Sequence, residues 1–294
     1  MSGRKRIDII VNPTAGSRGG GLFDEVLRRL NEGGAFVRCM DTQGPGHATT
    51  LAATAAADGR ADVIVAAGGD GTINEVARGL IGSPTPLGIL PLGTANVLGI
   101  EIGQQRRAKA IADTLLFGEA KLIGTGVVEG EIFLLMVGVG FDGKVVHAIE
   151  PALKRRLGKF AFIWEGVKAW IAGPAANIEM RIDGIDHHAA WVVVTNVRHY
   201  AGPFTLSRTT DISKSGIEVF LFHKTSRFAF AIYFLGLALG RVSSMPGVEV
   251  MVAQEIAFNR LTERSVEVDG DAVSATSLIV AKGEQFLRLV VPRT

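Results

Sequence analysis

From Ile7 to Leu90, short apolar runs alternate with stretches of helical periodicity, and few folds accept that rhythm. Ile7–Val11 is nearly all apolar, as expected of a strand covered on both faces. Leu22, Phe23, Val26, Leu27 and Leu30 then recur at helical spacing. Ala35–Met40 reads as a strand, His47–Ala57 as an alanine-rich helix and Asp62–Ala67 as a strand. Thr72–Leu80 reads as a second such helix and Leu87–Leu90 as a further strand. Strands joined by helices are crossover units, so the expected fold of this half is α/β with a parallel sheet.

After about Gly124 the period changes. Val127–Val128, Ile132–Val137, Ile178–Ile182, Ala189–Val197, Ile217–Phe222, Val248–Val252, Val266–Val268, Ser277–Ala281 and Phe286–Val291 are β-prone and separated by turns. Asp183-Gly184 and Asp269-Gly270 sit between alternating residues, the strongest short hairpin signal. This half is expected to be an antiparallel sandwich or barrel, interrupted by helices at Lys154–Ile171 and Ser226–Leu239. The change of period alone places a boundary near residue 125.

A chain of 294 residues has room for about two domains at roughly 150 residues each. A formal charge of +2 gives no global field that would draw it to nucleic acid. The single cysteine, Cys39, excludes a disulfide framework and a cysteine-built zinc site, and fits a reducing compartment. The basic start Met1–Arg6 is followed by an apolar run too short for a signal peptide. No run approaches the roughly 18 apolar residues of a membrane span; the nearest is Phe228–Leu239. The expected location is the cytoplasm, with peripheral contact at the inner membrane face left open.

Three loops follow strands of the first half, where open α/β sheets bind ligands. They are Asn12-Pro13-Thr14-Ala15-Gly16, Gly68-Gly69-Asp70-Gly71-Thr72 and Pro91-Leu92-Gly93-Thr94-Ala95-Asn96. Glycine lets the backbone approach a ligand, and amides at a helix start favour an anion such as phosphate. Asp70 offers a carboxylate to a Mg²⁺ shared with those phosphates. Each loop alone is equally a tight turn; three at one sheet edge favour phosphate binding. The spacing matches neither the dinucleotide-binding nor the P-loop pattern.

These loops, with Gly46-His47-Ala48, Glu75-Val76 and Gly138-Val139-Gly140-Phe141-Asp142, resemble the diacylglycerol kinase catalytic-domain family, which includes bacterial diacylglycerol kinases, YegS-like lipid kinases and sphingosine kinases. The resemblance implies an ATP-dependent lipid kinase that transfers the γ-phosphate to a hydroxyl of a membrane lipid, such as diacylglycerol or a sphingoid base. It places ATP with Mg²⁺ on Asn12, Pro13, Thr14, Ala15, Gly16, Thr42, Gly68, Gly69, Asp70, Gly71, Thr72, Ile73, Asn74 and Thr94. Thr42 alone is equally a loop or cap residue, and His47 is read as serving the helix start. The implied domains are a nucleotide-binding α/β unit, 1–125, to which 284–294 returns, and a β-rich lipid-substrate unit, 126–283.

The family carries its base in an Asp-Gly-Glu motif, and the matching residues here are Asp269-Gly270-Asp271. Asp271 is then the catalytic base, one methylene shorter than the family's glutamate, with Asp269 and Asp70 as its catalytic neighbours. The same residues are equally a plain hairpin turn, for which Asp183-Gly184 is the internal control. A second departure is Ser215-Gly216-Ile217-Glu218, where the family's auxiliary metal site has an aspartate first. Serine removes a charged oxygen ligand, so no protein-held metal is expected there. The resemblance also implies a part in phospholipid biosynthesis. Its rivals are an enzyme like NAD kinase, which shares the glycine-rich turn, and a weakened nucleotide- or lipid-binding module.

Lys154, Arg155, Arg156 and Lys159 precede Phe160, Phe162, Trp164 and Trp170, which suits an anionic bilayer or a basic solvated helix end alike. Phe228–Leu239 reads as a core helix in preference to a membrane-facing one. The expected partners are ATP and a lipid at a membrane surface, without nucleic acid; a homodimer stays open.

Overall fold

The structure, a computed structural model, describes residues 3–15, 21–148, 177–213, 217–261 and 265–293. The chain divides into two compact units, Met1–Ile123 with Gln285–Thr294, and Gly124–Glu284. The helix expected over Lys154–Ile171, with its basic and aromatic cluster, lies outside the described residues, as do Gly16, Ser215 and Gly216.

In the first unit β1 (Arg6–Val11), β2 (Phe36–Asp41), β3 (Val63–Gly68) and β4 (Leu87–Pro91) lie parallel in the order β2-β1-β3-β4. The helices between them are α1 (Leu22–Glu32), α2 (His47–Asp58) and α3 (Asp70–Leu80), followed by α4 (Val97–Glu101) and α5 (Ala108–Phe117). Ile7, Ile9, Val11, Val63 and Val65 meet Phe23, Val26 and Leu30 of α1 and Ile111 and Leu115 of α5 in one core. Their neighbours Ile10, Ile64 and Ala66 alternate to the other face and are equally buried. Burial on both faces is why β3 reads as an unbroken apolar run and β1 as one interrupted only by Asp8.

Close approach ties α2 to α3. A Cβ added at Gly79 would lie 2.7 Å from Ala52 Cβ, so that helix crossing needs glycine. The Ala48 amide donates to Glu75 Oε2 at 3.1 Å, and Thr49 Oγ1 donates to the Glu75 carbonyl. Glu75 is therefore a packing residue. The chain's last strand, Leu278–Val291, brings Leu289 into parallel register with Leu87 on β4.

The second unit is an antiparallel sandwich. Its β-strands, after β5 (Glu119–Val128), are β6 (Glu131–Phe133), β7 (Met136–Val139), β8 (Ile178–Ile182), β9 (Ile185–Ala189), β10 (Trp191–Thr195), the short pair β11 (His199–Tyr200) and β12 (Phe204–Thr205), β13 (Ile217–Phe222), β14 (Val248–Ala253), β15 (Glu255–Phe258), β16 (Val266–Val268), β17 (Asp271–Val273) and β18 (Leu278–Val291). One sheet runs β14-β13-β10-β7-β16-β17, and the other carries β18, β15, β8 and β9 in that order. Between them lies a core of Phe133, Val137, Val139, Met180, Val192, Val194, Val219, Leu221, Ile256, Phe258 and Val280 among others. The helices α6 (Phe141–Ala148) and α7 (Arg227–Ala238) and a single 3-10 turn at Val242–Ser244 complete the described elements, with Ser226 Oγ capping α7 through the Ala229 amide at 3.2 Å.

Both expected Asp-Gly hairpins form. Asp183 and Gly184 have φ of 46° and 87°, and Asp269 and Gly270 have 51° and 87°, the left-handed pair that a type I′ turn requires. A third such turn, Glu129-Gly130 at 49° and 84°, joins β5 to β6. The single strand expected over Ile132–Val137 is instead two strands separated by Leu134 and Leu135, and that bend is where the chain passes from one sheet to the other. Likewise Ala189–Val197 splits between β9 and β10.

Candidate active site

Three strand ends of the first unit bring the glycine-rich loops together. The amide of Asn12 donates to the Ala67 carbonyl at 3.0 Å, and Asn12 Nδ2 donates to Thr72 Oγ1 at 3.1 Å, joining the first loop to the second. The amides of Leu92 and Gly93 both donate to the Gly68 carbonyl, at 2.9 and 3.2 Å, joining the second to the third. A Cβ added at Gly93 would sit 2.5 Å from Gly69 Cα, so the two backbones touch where a side chain would part them. Thr14 is fixed by its amide and its hydroxyl, both donating to Asn12 Oδ1.

Within this cluster Gly71 and Thr94 are exposed, and Thr72, Ile73 and Asn74 are buried in the first turn of α3 and the residues after it. The half-buried Asp70 is held by amides: the Leu98 amide donates to its Oδ1 at 3.4 Å. Loss of water raises its carboxyl above the ordinary range, although the amides of Leu98, Val97 and Asn96 pull the other way. Thr42 sits beside the first loop, its amide donating to the Val11 carbonyl at 2.8 Å. His47 Nδ1 accepts the Gln43 amide at 3.0 Å at the start of α2, a helix-entry contact.

In the second unit the Asp269-Gly270 turn is fastened from below. Asp269 Oδ2 accepts the Leu134 amide at 2.8 Å, and its Oδ1 accepts those of Leu135 and Met136 at 2.8 and 3.0 Å. Both oxygens are thereby engaged by backbone at the inter-sheet bend. The Gly270 amide donates to Glu267 Oε2 at 2.7 Å. Asp271 follows immediately, exposed, paired across the turn with Val268. The turn is stiff and its carboxylate is open to solvent, the combination a positioned general base needs.

Sequence reasoning missed a buried acid pair behind that turn. Asp142, at the start of α6, accepts from Trp191 Nε1 at 3.0 Å on Oδ2 and from the Tyr200 hydroxyl on Oδ1. Burial pushes its carboxyl up to about 6 against the pull of those donors. Glu267 is raised well above the ordinary carboxylic range, first by burial and then by the charge of Asp142. A Cβ at Gly138 would lie 2.6 Å from Asp142 Oδ2 and 2.7 Å from Glu267 Oε1, so both acids crowd one glycine. The available signal was that glycine in the middle of an apolar strand. With two donors on Asp142, Asp142 is the group that ionises first, and Glu267 keeps its proton.

This pair gives stability a distinct pH dependence. Unfolded Asp142 ionises near pH 4, whereas folded Asp142 holds its proton to about 6, so the folded state binds more protons in between. Its contribution is complete below about pH 4 and is lost as pH rises through 6. In Asp142→Asn the Tyr200 hydroxyl can turn to accept from the new amide, so the packing survives. The variant should lose on the order of 2 kcal/mol of the stability difference between about pH 4 and 7 relative to the parent, read by urea unfolding at both pH values. Equal slopes in the two proteins would exclude the pair as its source.

A parallel sheet with three apposed loops at its carboxyl ends is an α/β unit built to take a ligand there, and the second unit is a β-sandwich carrying a fastened acidic turn. The diacylglycerol kinase catalytic domain family model matches residues 6–128, and that of the YegS C-terminal NAD kinase beta sandwich-like domain matches residues 135–291. The chain belongs to the diacylglycerol kinase and YegS-like family. A diacylglycerol kinase of Bacillus subtilis is 35% identical over 188 residues, which span 61% of this chain and 60% of that one. A diacylglycerol kinase of Staphylococcus saprophyticus is 26% identical over 91% of this chain and 89% of its own. A crystal structure of a diacylglycerol kinase from Bacillus anthracis superposes with a TM-score of 0.78 at 21% identity, covering 98% of this chain and 97% of that one; this likeness supports the α/β and β-sandwich fold. No helix among the described residues is long and apolar enough to cross a membrane.

Proposed function

We propose that this chain is an ATP-dependent lipid kinase that transfers the γ-phosphate of ATP to a hydroxyl of a membrane lipid, diacylglycerol or a sphingoid base. The observation that carries the reading is the mutual contact of the three loops, with Gly93 against Gly69 and Asn12 on Thr72. Backbone amides and hydroxyls so gathered at strand ends suit a polyphosphate. Asn12, Pro13, Thr14, Ala15, Gly16, Thr42, the 68–74 segment and Thr94 are assigned to the nucleotide.

No group of three or more His, Cys, Asp or Glu that could hold a metal ion gathers among the described residues. A Mg²⁺ accompanying the nucleotide would take oxygen ligands from the phosphates, and Asp70 is the carboxylate within the three loops that would supply another. Bound in that way, Mg²⁺ would neutralise charge on the transferred group. Asp271 takes the proton of the acceptor hydroxyl, and Asp269 positions Asp271 by anchoring the turn. A role in phospholipid biosynthesis follows from the acceptor.

Incubation with γ-labelled ATP, Mg²⁺ and separate acceptors (diacylglycerol, sphingosine and NAD) tests the reading. Label is expected in one lipid. Label in NAD alone, or none in any acceptor despite nucleotide binding, would overturn it.

A further inference from the structure

The helix α7 has two apolar faces. Its inner face is core: Phe230 and Phe234 pack on Trp191, whose ring also stacks on Phe222 at 4.0 Å, and Tyr233 is fully buried. Its outer face carries Phe228, Leu235 and, just past the helix, Leu239, which are 77%, 58% and 60% exposed. Their spacing of seven and four residues keeps them in one stripe. Phe204, 45% exposed on β12, extends the apolar patch from the strand that packs against α7. An exposed stripe of this kind on a helix that needs no second apolar face for folding calls for a partner.

The charges around the stripe select which partner. From Lys224 to Val248 the sequence holds no carboxylate, while Lys224 and Arg241 are exposed at the two ends of the helix. Arg227, exposed at the helix's first residue, and Arg208, whose Nε donates to the Gly240 carbonyl at 2.7 Å, add further cations there. Apolar side chains in the middle with cations at the edges match a surface whose interior is hydrocarbon and whose headgroups are negative. We infer that the outer face of α7 docks the protein on an anionic lipid bilayer, with Phe228, Leu235 and Leu239 inserted and Lys224, Arg208 and Arg241 at headgroup level. The choice of a bilayer, as against a second copy of the chain, rests in part on the lipid-kinase reading.

The test uses the full chain and two vesicle preparations, one of phosphatidylcholine and one of equal parts phosphatidylcholine and phosphatidylglycerol. Sedimentation should show preference for the anionic vesicles, weakened by salt. Phe228→Ser/Leu235→Ser/Leu239→Ser should reduce the partition coefficient about tenfold or more, and Lys224→Glu/Arg241→Glu should abolish the anionic preference. All these residues are exposed, so turnover of a water-soluble short-chain diacylglycerol should be unchanged in both variants. Failure of the parent to phosphorylate that soluble lipid would count against the lipid-kinase reading instead, and leaves the vesicle result to decide the docking. Undiminished vesicle binding in both variants overturns the inference, as does a parent dimer that the triple variant dissociates while vesicle binding stays intact.

Discussion

Asp269→Ala is expected to destabilise the β-rich unit by on the order of 3–6 kcal/mol. The substitution strips the acceptor from the amides of Leu134, Leu135 and Met136, all of which belong to buried residues. An orphaned buried donor costs about 1–3 kcal/mol, and three are orphaned at once. Asp269→Asn should fall between: its oxygen can still serve Leu135 and Met136, but its amide group faces the Leu134 amide, donor against donor. The control lies in the same sandwich. Asp183 occupies the same turn position and accepts the amides of Gln254 and Glu255 at 3.0 and 2.9 Å, again where the chain changes sheets. That site is exposed, so water replaces the lost carboxylate and Asp183→Ala should cost about 1 kcal/mol or less. Urea unfolding of both variants, followed by tryptophan fluorescence, makes the comparison. Equal losses would mean that the buried amides at Leu134–Met136 are not held as described.

The two aspartates also mark what could be read from sequence. The Asp-Gly pairs were legible because left-handed backbone selects residue types locally. Glu129-Gly130 adopts the same turn and was not, since glutamate carries no such preference; its side chain is committed instead to the Ile279 amide at 2.7 Å, 150 residues away. The break in Ile132–Val137 was illegible for a related reason. Nothing in that apolar run asks for a bend, and the bend is stabilised by Asp269, more than 130 residues downstream. The parallel sheet, by contrast, is written in period alone, because burial on both faces makes the inner strands β3 and β4 apolar throughout and β1 nearly so.

The candidate site divides in the same way. The loops were legible as loops, but their convergence depends on contacts such as Gly69 with Gly93 that join separate crossover units. Glu267 alternates with Val266 and Val268, a pattern that places it on a solvent face. It is buried because α6 packs against β16 on that side, bringing Asp142 with it. Phe228–Leu239 read as a core helix, and half of it is; the exposed half could not be told from the buried half, since both are apolar and the stripe has no polar counterpart to give it contrast.

Asp271→Asn is expected to lower kcat for lipid phosphorylation by about 10²–10⁴-fold, the range for loss of a positioned general base. Stability should barely move, because Asp271 is exposed and the turn is held by Asp269 and Glu267. The KM for ATP should also hold, since the loops assigned to the nucleotide belong to the other unit. That pattern separates a base from a structural turn residue: a merely structural Asp271 would change unfolding and turnover together. Asp271→Glu restores the family's longer side chain on the same backbone. If the carboxylate does the work, the glutamate variant should stay within about tenfold of the parent while the asparagine variant does not. Label transfer from γ-labelled ATP, measured over a range of ATP and lipid concentrations, gives both constants. An asparagine variant that turns over within threefold of the parent would remove Asp271 from the chemistry and leave the proton to another group; the neighbouring Glu267, whose carboxyl burial raises well above the ordinary range, is buried and so poorly placed to accept it.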